Sequence, residues 1–243
     1  MKNDEIIEPK IAKGFDRDVD FGPMKESLIK AIKELYPKLY KRDKYLVTVS
    51  NKLIYCLIAI IQLRNGSRIS EAINAFRLFL QKGIDDLDSK VVVKISKSGG
   101  IKTKTIDNAK PMKTGDTKIN VISKKRVKYL SKPKYRKMMF PKSWLILAID
   151  TDDKIANLFA HFEERMSYIN DKDVRMRKRV LGYMLRNHNS NTHSLRYAFI
   201  NFMINEEKEP LNMVAKFVGH ANVTQLVTYT QQKRCDAIFA KDI

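Results

Sequence analysis

A chain of 243 residues with 44% hydrophobic residues and only nine glycines and seven prolines can bury a sizeable core, as one domain with an appendage or as two small domains, and is too apolar for a disordered polymer. Its 47 basic against 27 acidic residues leave a formal charge of +20, which points to a polyanionic partner, nucleic acid ahead of an anionic membrane. Two cysteines, Cys56 and Cys235, exclude a disulfide framework, and neither has the close Cys or His neighbours of a zinc site.

The N-terminus carries acidic residues and no apolar leader segment, and residues 1–49 read as a short N-terminal segment or linker remnant with one helix near Met24 to Leu35, stopped by Pro37. A helix is predicted from Ser50, as its cap, to Leu63, with Leu53, Leu57, Ile60 and Ile61 at helical spacing. Gln62 interrupts that apolar run and Lys52 and Arg64 flank it, so it is expected not to span a bilayer. Arg64-Asn65-Gly66 breaks the helix, and Ser67 opens a second through about Phe76, which puts Arg68 at a helix start directly after a turn.

Beyond Lys90 the pattern changes. Val91-Val92-Val93 and Ile95 followed by Ser98-Gly99-Gly100 read as a strand entering a turn, with a return strand at Ile119 to Ile122 or at Met138 to Phe140. The lysine density of this stretch marks a basic insertion, around residues 98–137, suited to following a phosphate backbone. Trp144 to Ile149, Ile155 to Phe162 and the stretch from Asp173 to about Arg186 have helical spacing. Another helix, capped by Asn191 or Thr192, carries His193 and Arg196 in its first turn; Pro210 opens one with Leu211, Val214, Phe217 and Val218 on its apolar face, closed by Gly219. His220 follows at once, and a last helix after Asn222 carries Tyr229. The expected architecture is mainly α with a small antiparallel sheet, residues 50–243 forming one domain.

Arg68, His193, Arg196, His220 and Tyr229 are the residue types a phosphodiester needs if a tyrosine is to attack it. Two guanidinium groups can grip nonbridging oxygens in a planar fork that lysine lacks, and a tyrosine of ordinary pKa near 10 needs its proton accepted or its phenolate stabilised. Other histidines, His161 and His188, read as boundary residues.

The segment Gly66-Ser67-Arg68-Ile69-Ser70-Glu71, the cluster His193-Ser194-Leu195-Arg196, the triplet Val218-Gly219-His220 and Tyr229 nine residues further on resemble, in order and spacing, the catalytic motifs of the tyrosine recombinases, the integrase class. The resemblance covers roughly residues 50 to 235, differs by a valine for leucine before Gly219, and leaves no room ahead for that family's usual core-binding domain, which implies an excised catalytic domain or a small recombinase. It implies site-specific cleavage and rejoining of DNA strands through a 3′-phosphotyrosyl intermediate, with Tyr229 as nucleophile, Arg68 and Arg196 on the phosphate, His193 as proton acceptor, His220 as donor to a phosphoryl oxygen, and Glu71 supporting a cation from behind.

The same resemblance implies a lysine in a strand-turn-strand element as proton donor to the leaving 5′ oxygen; the matching stretch runs from Lys94 to Gly100, Lys97 stands at its turn, and Lys94, Lys102 and Lys104 are the alternatives. It further implies no cofactor and no metal, double-stranded DNA as partner, a homotetramer on DNA that is weakly associated or monomeric without it, and a cytoplasmic, DNA-associated protein with no membrane role. The rival readings are a type IB topoisomerase, a non-catalytic basic DNA-binding module and a metal-dependent nuclease; against the last, Asp85-Asp86 and Asp152-Asp153 fall in expected loops without histidine partners.

Overall fold

A computed structural model describes residues 19–40, 46–83, 87–96, 98, 100–114, 117–219, 223 and 226, with the backbone alone of 100–114 and 117–131. The described residues are mainly α-helical, with two two-stranded sheets. In chain order they form α1 (Phe21–Leu35), a 3-10 turn (Tyr36–Tyr40), α2 (Leu46–Asn65), α3 (Ile69–Lys82), β1 (Val91–Lys94), β2 (Gly100–Thr114), β3 (Thr117–Ser131), β4 (Tyr135–Met138), α4 (Lys142–Ile149), α5 (Asp152–Glu163), α6 (Met166–Ile169), α7 (Asp173–His188), α8 (Thr192–Asn201), a π turn (Phe202–Glu206) and α9 (Leu211–Val218). The described residues before Lys94 and after Arg136 make one compact unit, and those from Lys94 to Arg136 a second.

The larger unit is built around α2. By length and composition α2 would cross a membrane, yet 13 of its 20 residues are buried within the fold, against α1, α3, α7 and α8. A helix apolar on every side needs neighbours on every side, and this one has them. It already includes Leu46, a turn before the expected start, and Leu46 and Val49 pack on the core. Ser50 therefore lies inside the helix and caps nothing; it is buried, with its Oγ 3.0 Å from His161 Nε2. Likewise α3 runs past Phe76, because Phe79 and Leu80 prolong the buried row of Ala72, Ile73 and Phe76.

Helix α1, from the stretch read as a separate N-terminal segment, buries Phe21, Met24, Leu28 and Ile32 against α2, α4 and α8. Phe21 stacks on Phe202 at 4.3 Å and meets Trp144 and Phe199 edge-on. On the far side, Arg77 of α3 donates to Asp173 Oδ1 at 2.6 Å and to the carbonyls of Ile169 and Asp171, fastening α3 to the entry of α7. Asp152 and Asp153, expected in a loop, sit in the first turn of α5, whose N-cap Thr151 accepts the N–H of Lys154. There they complement the helix dipole.

The strand that pairs with β1 is β4, Tyr135 to Met138, so only Met138 of the expected return strand Met138 to Phe140 lies in it, Phe140 packing instead on Phe79 and Phe159 beyond the strand's end. The other expected return strand, Ile119 to Ile122, belongs to β3, which pairs antiparallel with β2 along the full 15 residues of each, from Gly100 opposite Ser131 to Thr114 opposite Thr117. At about 3.4 Å per residue such a ribbon is about 50 Å long.

Candidate active site

Arg68 owes its position to the way α2 stops. Gly66 takes a left-handed conformation, φ +52°, so that the N–H of Ser67 reaches the carbonyl of Gln62 and that of Gly66 reaches Leu63, closing the helix with a Schellman turn. Glycine is required twice over, since a Cβ there would lie 2.3 Å from the ring of Phe199. The turn delivers Arg68 as the N-cap of α3, extended at φ −75° and ψ 152°. Glu71, one turn on and fully buried, takes the backbone N–H of Arg68 on Oε2 and its guanidinium on Oε1, both at 3.3 Å. The Arg68 side chain keeps 24% of its surface exposed, so it is anchored from behind while remaining reachable.

The second cluster is set by the start of α8. Asn191, and not Thr192, is the cap: its Oδ1 accepts the N–H groups of His193 and Ser194, each at 2.8 Å. His193 is exposed, and its Nε2 lies 2.6 Å from the hydroxyl of Tyr197, one turn along the same face, with the two rings edge-to-face at 4.4 Å. Tyr197 had no part in the sequence-based site, although its place four residues after His193 was the available signal.

Arg196 is buried, 2% exposed, and its guanidinium donates to the carbonyl of Gly66 at 2.7 Å and to that of Val218 at 2.9 Å. Gly66 opens the Arg68 segment and Val218 the Val218-Gly219-His220 triplet, so one side chain ties its own motif to two others that lie 130 and 22 residues from it along the chain. Gly219 ends α9 in the left-handed conformation expected of a closing glycine, φ 73°. His220, Tyr229 and Lys97 lie outside the described residues. Lys94 is exposed at the end of β1, and Lys102 and Lys104 stand in β2 at register positions opposite Tyr129 and Val127. Just before the expected turn, the N–H of Ile95 bonds to the carbonyl of Lys134 at 2.8 Å, and Ser98 Oγ accepts the N–H of Lys134 at 3.0 Å.

Two further residues that sequence reasoning passed over hold the end of α2. Asn65, counted only as part of a helix break, exchanges two hydrogen bonds with the backbone of Met139, both at 2.9 Å. Gln62 donates through one amide nitrogen to the carbonyls of Ser67 and Thr192. Its signal was its presence as a lone polar residue in an apolar run.

Burial shifts the titration of three groups away from this cluster. It lowers the pKa of His161 and His188 from the ordinary 6.5 and pushes the Cys56 thiol up to about 12, as suits a buried apolar thiol whose sulfur lies 3.0 Å from Tyr183 Oη. His188, read as a boundary residue, is half-buried, with Nδ1 2.9 Å from Ser27 Oγ. Among the described residues no three His, Cys, Asp or Glu side chains converge as a metal site.

No family model matches the chain. It is 39% identical over 250 residues to the protein named "Putative integrase V10" of Sputnik virophage, covering 99% of this chain and 97% of that one. It is 30% identical over 238 residues to "Putative integrase ORF241" of Acidianus two-tailed virus, covering 96% of this chain and 72% of the other. An uncharacterized protein, MJ0770, of Methanocaldococcus jannaschii is 26% identical over 230 residues, 91% of this chain and 83% of its own.

Proposed function

The chain belongs to the integrase family of mobile elements, with a catalytic domain of the tyrosine-recombinase type, and on that footing we propose that it cuts and rejoins DNA through a covalent 3′-phosphotyrosyl intermediate on Tyr229. Its general role is DNA recombination and integration, as an enzyme acting on DNA. The observation that supports the finer reading best is the Arg196 guanidinium, which draws the Arg68 turn, the His193 helix and the segment leading to His220 to one place.

In this reaction the Tyr229 phenol attacks phosphorus, its oxygen replaces the 5′ oxygen, and a 3′-phosphotyrosine and a free 5′ hydroxyl result. Arg68, held by Glu71 and partly exposed, meets the charge that grows on the nonbridging oxygens. Arg196 adds a second buried cation beside the same turn. His193 accepts the tyrosine proton, with Tyr197 fixing its ring, His220 donates to a phosphoryl oxygen, and Lys97 protonates the leaving oxygen. The broken bond's energy is kept in the intermediate, so rejoining needs neither ATP nor a divalent ion.

The unit of residues 94–136 supplies affinity. It holds 12 lysines and two arginines against two aspartates, and a two-stranded ribbon is narrow enough to lie in or along a duplex groove. On DNA the working species in this proposal is a tetramer, since strand exchange must cut and rejoin two duplexes.

The direct test incubates wild type and Y229F with a nicked suicide substrate in EDTA and resolves the products on a denaturing gel. Wild type is expected to leave a protein-linked strand and Y229F none. An adduct in Y229F, or cleavage that requires added magnesium, would overturn the phosphotyrosyl mechanism.

A further inference from the structure

We infer that Gln62 is a positioning residue of the active site, an inference that rests on the phosphotyrosyl reading above. Its carboxamide nitrogen donates to the carbonyl of Ser67, at 3.1 Å, and to that of Thr192, at 2.5 Å. These are the carbonyls immediately before Arg68 and His193, so a single amide joins the peptide that presents the phosphate-binding arginine to the peptide that presents the proton acceptor. The Gln62 backbone carbonyl also accepts the Ser67 N–H at 3.2 Å, which leaves both ends of the Ser67 residue held by one amino acid.

Burial makes this placement informative. Gln62 is 1% exposed and sits in a helix otherwise apolar at that level, Ile60, Ile61 and Leu63 being fully buried. Its Oε1 is buried without a hydrogen-bond partner, as is the Oγ of neighbouring Ser67. An unsatisfied buried acceptor weakens a fold, and an apolar residue of equal length would remove it, though at the loss of the donor to the Ser67 and Thr192 carbonyls. The amide thus contributes what a methionine could not: two fixed donors that set the distance between the end of α2 and the start of α8. Arg196 makes the complementary link from Gly66 to Val218, so the two ties share the α2 turn and diverge to the two later motifs.

The test uses the full-length chain with Gln62→Met and Gln62→Glu, the second keeping length but removing the paired donors at neutral pH. Thermal unfolding, DNA affinity and single-turnover adduct formation are measured for both, with Y229F as control. The expected result is a Q62M protein that still folds, with a modestly lower melting temperature because two carbonyls lose their donor, an unchanged dissociation constant for DNA and a cleavage rate at least tenfold lower, and Q62E lower still. Wild-type cleavage by Q62M, with Y229F inactive, overturns the inference and leaves the phosphotyrosyl reading standing. A parallel loss of stability, binding and cleavage in both variants also overturns it, because Gln62 is then part of the scaffold alone. An adduct formed by Y229F would instead remove the mechanism on which the inference rests.

Discussion

The helical unit and the basic hairpin unit answer different physical demands. Residues 94–136 carry 14 basic side chains against two acids, a net +12 in 43 residues, while the other 200 residues hold 33 against 25 and contribute only +8 of the chain's +20. In the helical unit charges are placed one at a time and paired: Arg68 with Glu71, Arg77 with Asp173, Arg196 with two carbonyls. A cation needed at one atom must be oriented, which takes burial and hydrogen bonds; a cation needed anywhere along a polyanion needs only to be present in number. Under the proposed function this contrast puts geometry in one unit and affinity in the other.

The sharpest way to break that division is at Arg68. R68A should lower cleavage by about 3 to 5 kcal/mol in transition-state stabilisation, as loss of a preorganised electrostatic contact does, while DNA binding persists. It also strands the buried Glu71 carboxylate without its guanidinium, so the variant should melt early, and R68A/E71Q should recover stability without recovering cleavage. Recovery of cleavage in the double variant would place Arg68 in the scaffold.

Next comes the hairpin. Neutralising Lys118, Lys124, Arg126 and Lys128 together should reduce the log-log salt slope of DNA affinity by about 3 to 4 and weaken binding at low salt by about 100- to 1,000-fold. Thermal stability of the protein should be unchanged, and bound DNA should still be cut at the wild-type single-turnover rate. A cleavage defect on saturated DNA would show that the ribbon shapes the reaction and would end the division of labour.

A smaller effect tests the turn that feeds the site. Gly66→Ala adds a Cβ at φ +52° and against Phe199, and should destabilise by about 1 to 3 kcal/mol in denaturant unfolding. Cleavage should fall further than stability alone explains, because Arg68 and the Arg196 tether both hang on this turn.

The smallest expected effect is a pH dependence confined to the helical unit. Burial lowers the folded-state pKa of His188 and His161 below the ordinary 6.5, so the unfolded chain binds protons first as pH falls. Stability is complete above about 6.5 and is lost progressively below it, as the melting temperature at pH 7.5 and 5.5 should show by a drop of a few degrees. Replacing both histidines with glutamine should flatten that drop, whereas charge changes in the hairpin should leave it in place.

Much of this was readable along the chain. Gly66, Arg68, Glu71, His193, Arg196 and Gly219 owe their roles to local chemistry: a glycine after a helix, a polar residue at an N-cap, two side chains three positions apart. Local spacing determines such things, and the helices around them followed from apolar periodicity. The hairpin's charge was equally plain, because composition survives without coordinates.

Only tertiary structure decided what the spacing left open. Neither expected return strand is the partner of β1: β4, which takes that place, shares only Met138 with one, and the other belongs to the β2–β3 ribbon, a choice between distant strands that no local preference makes. Helix α2 already includes Leu46 and Val49, which pack on the core, and Ser50, a good cap by residue type, became a buried partner of His161. Gln62 and Asn65 read as a polar interruption and a helix breaker until their partners were in place, and Tyr197 drew no reading at all. Arg196 was legible as a cation in a motif, but its hold on Gly66 and Val218 exists only once segments 130 and 22 residues away are folded against it. A sequence fixes which groups a residue offers; which carbonyls they find depends on long-range packing.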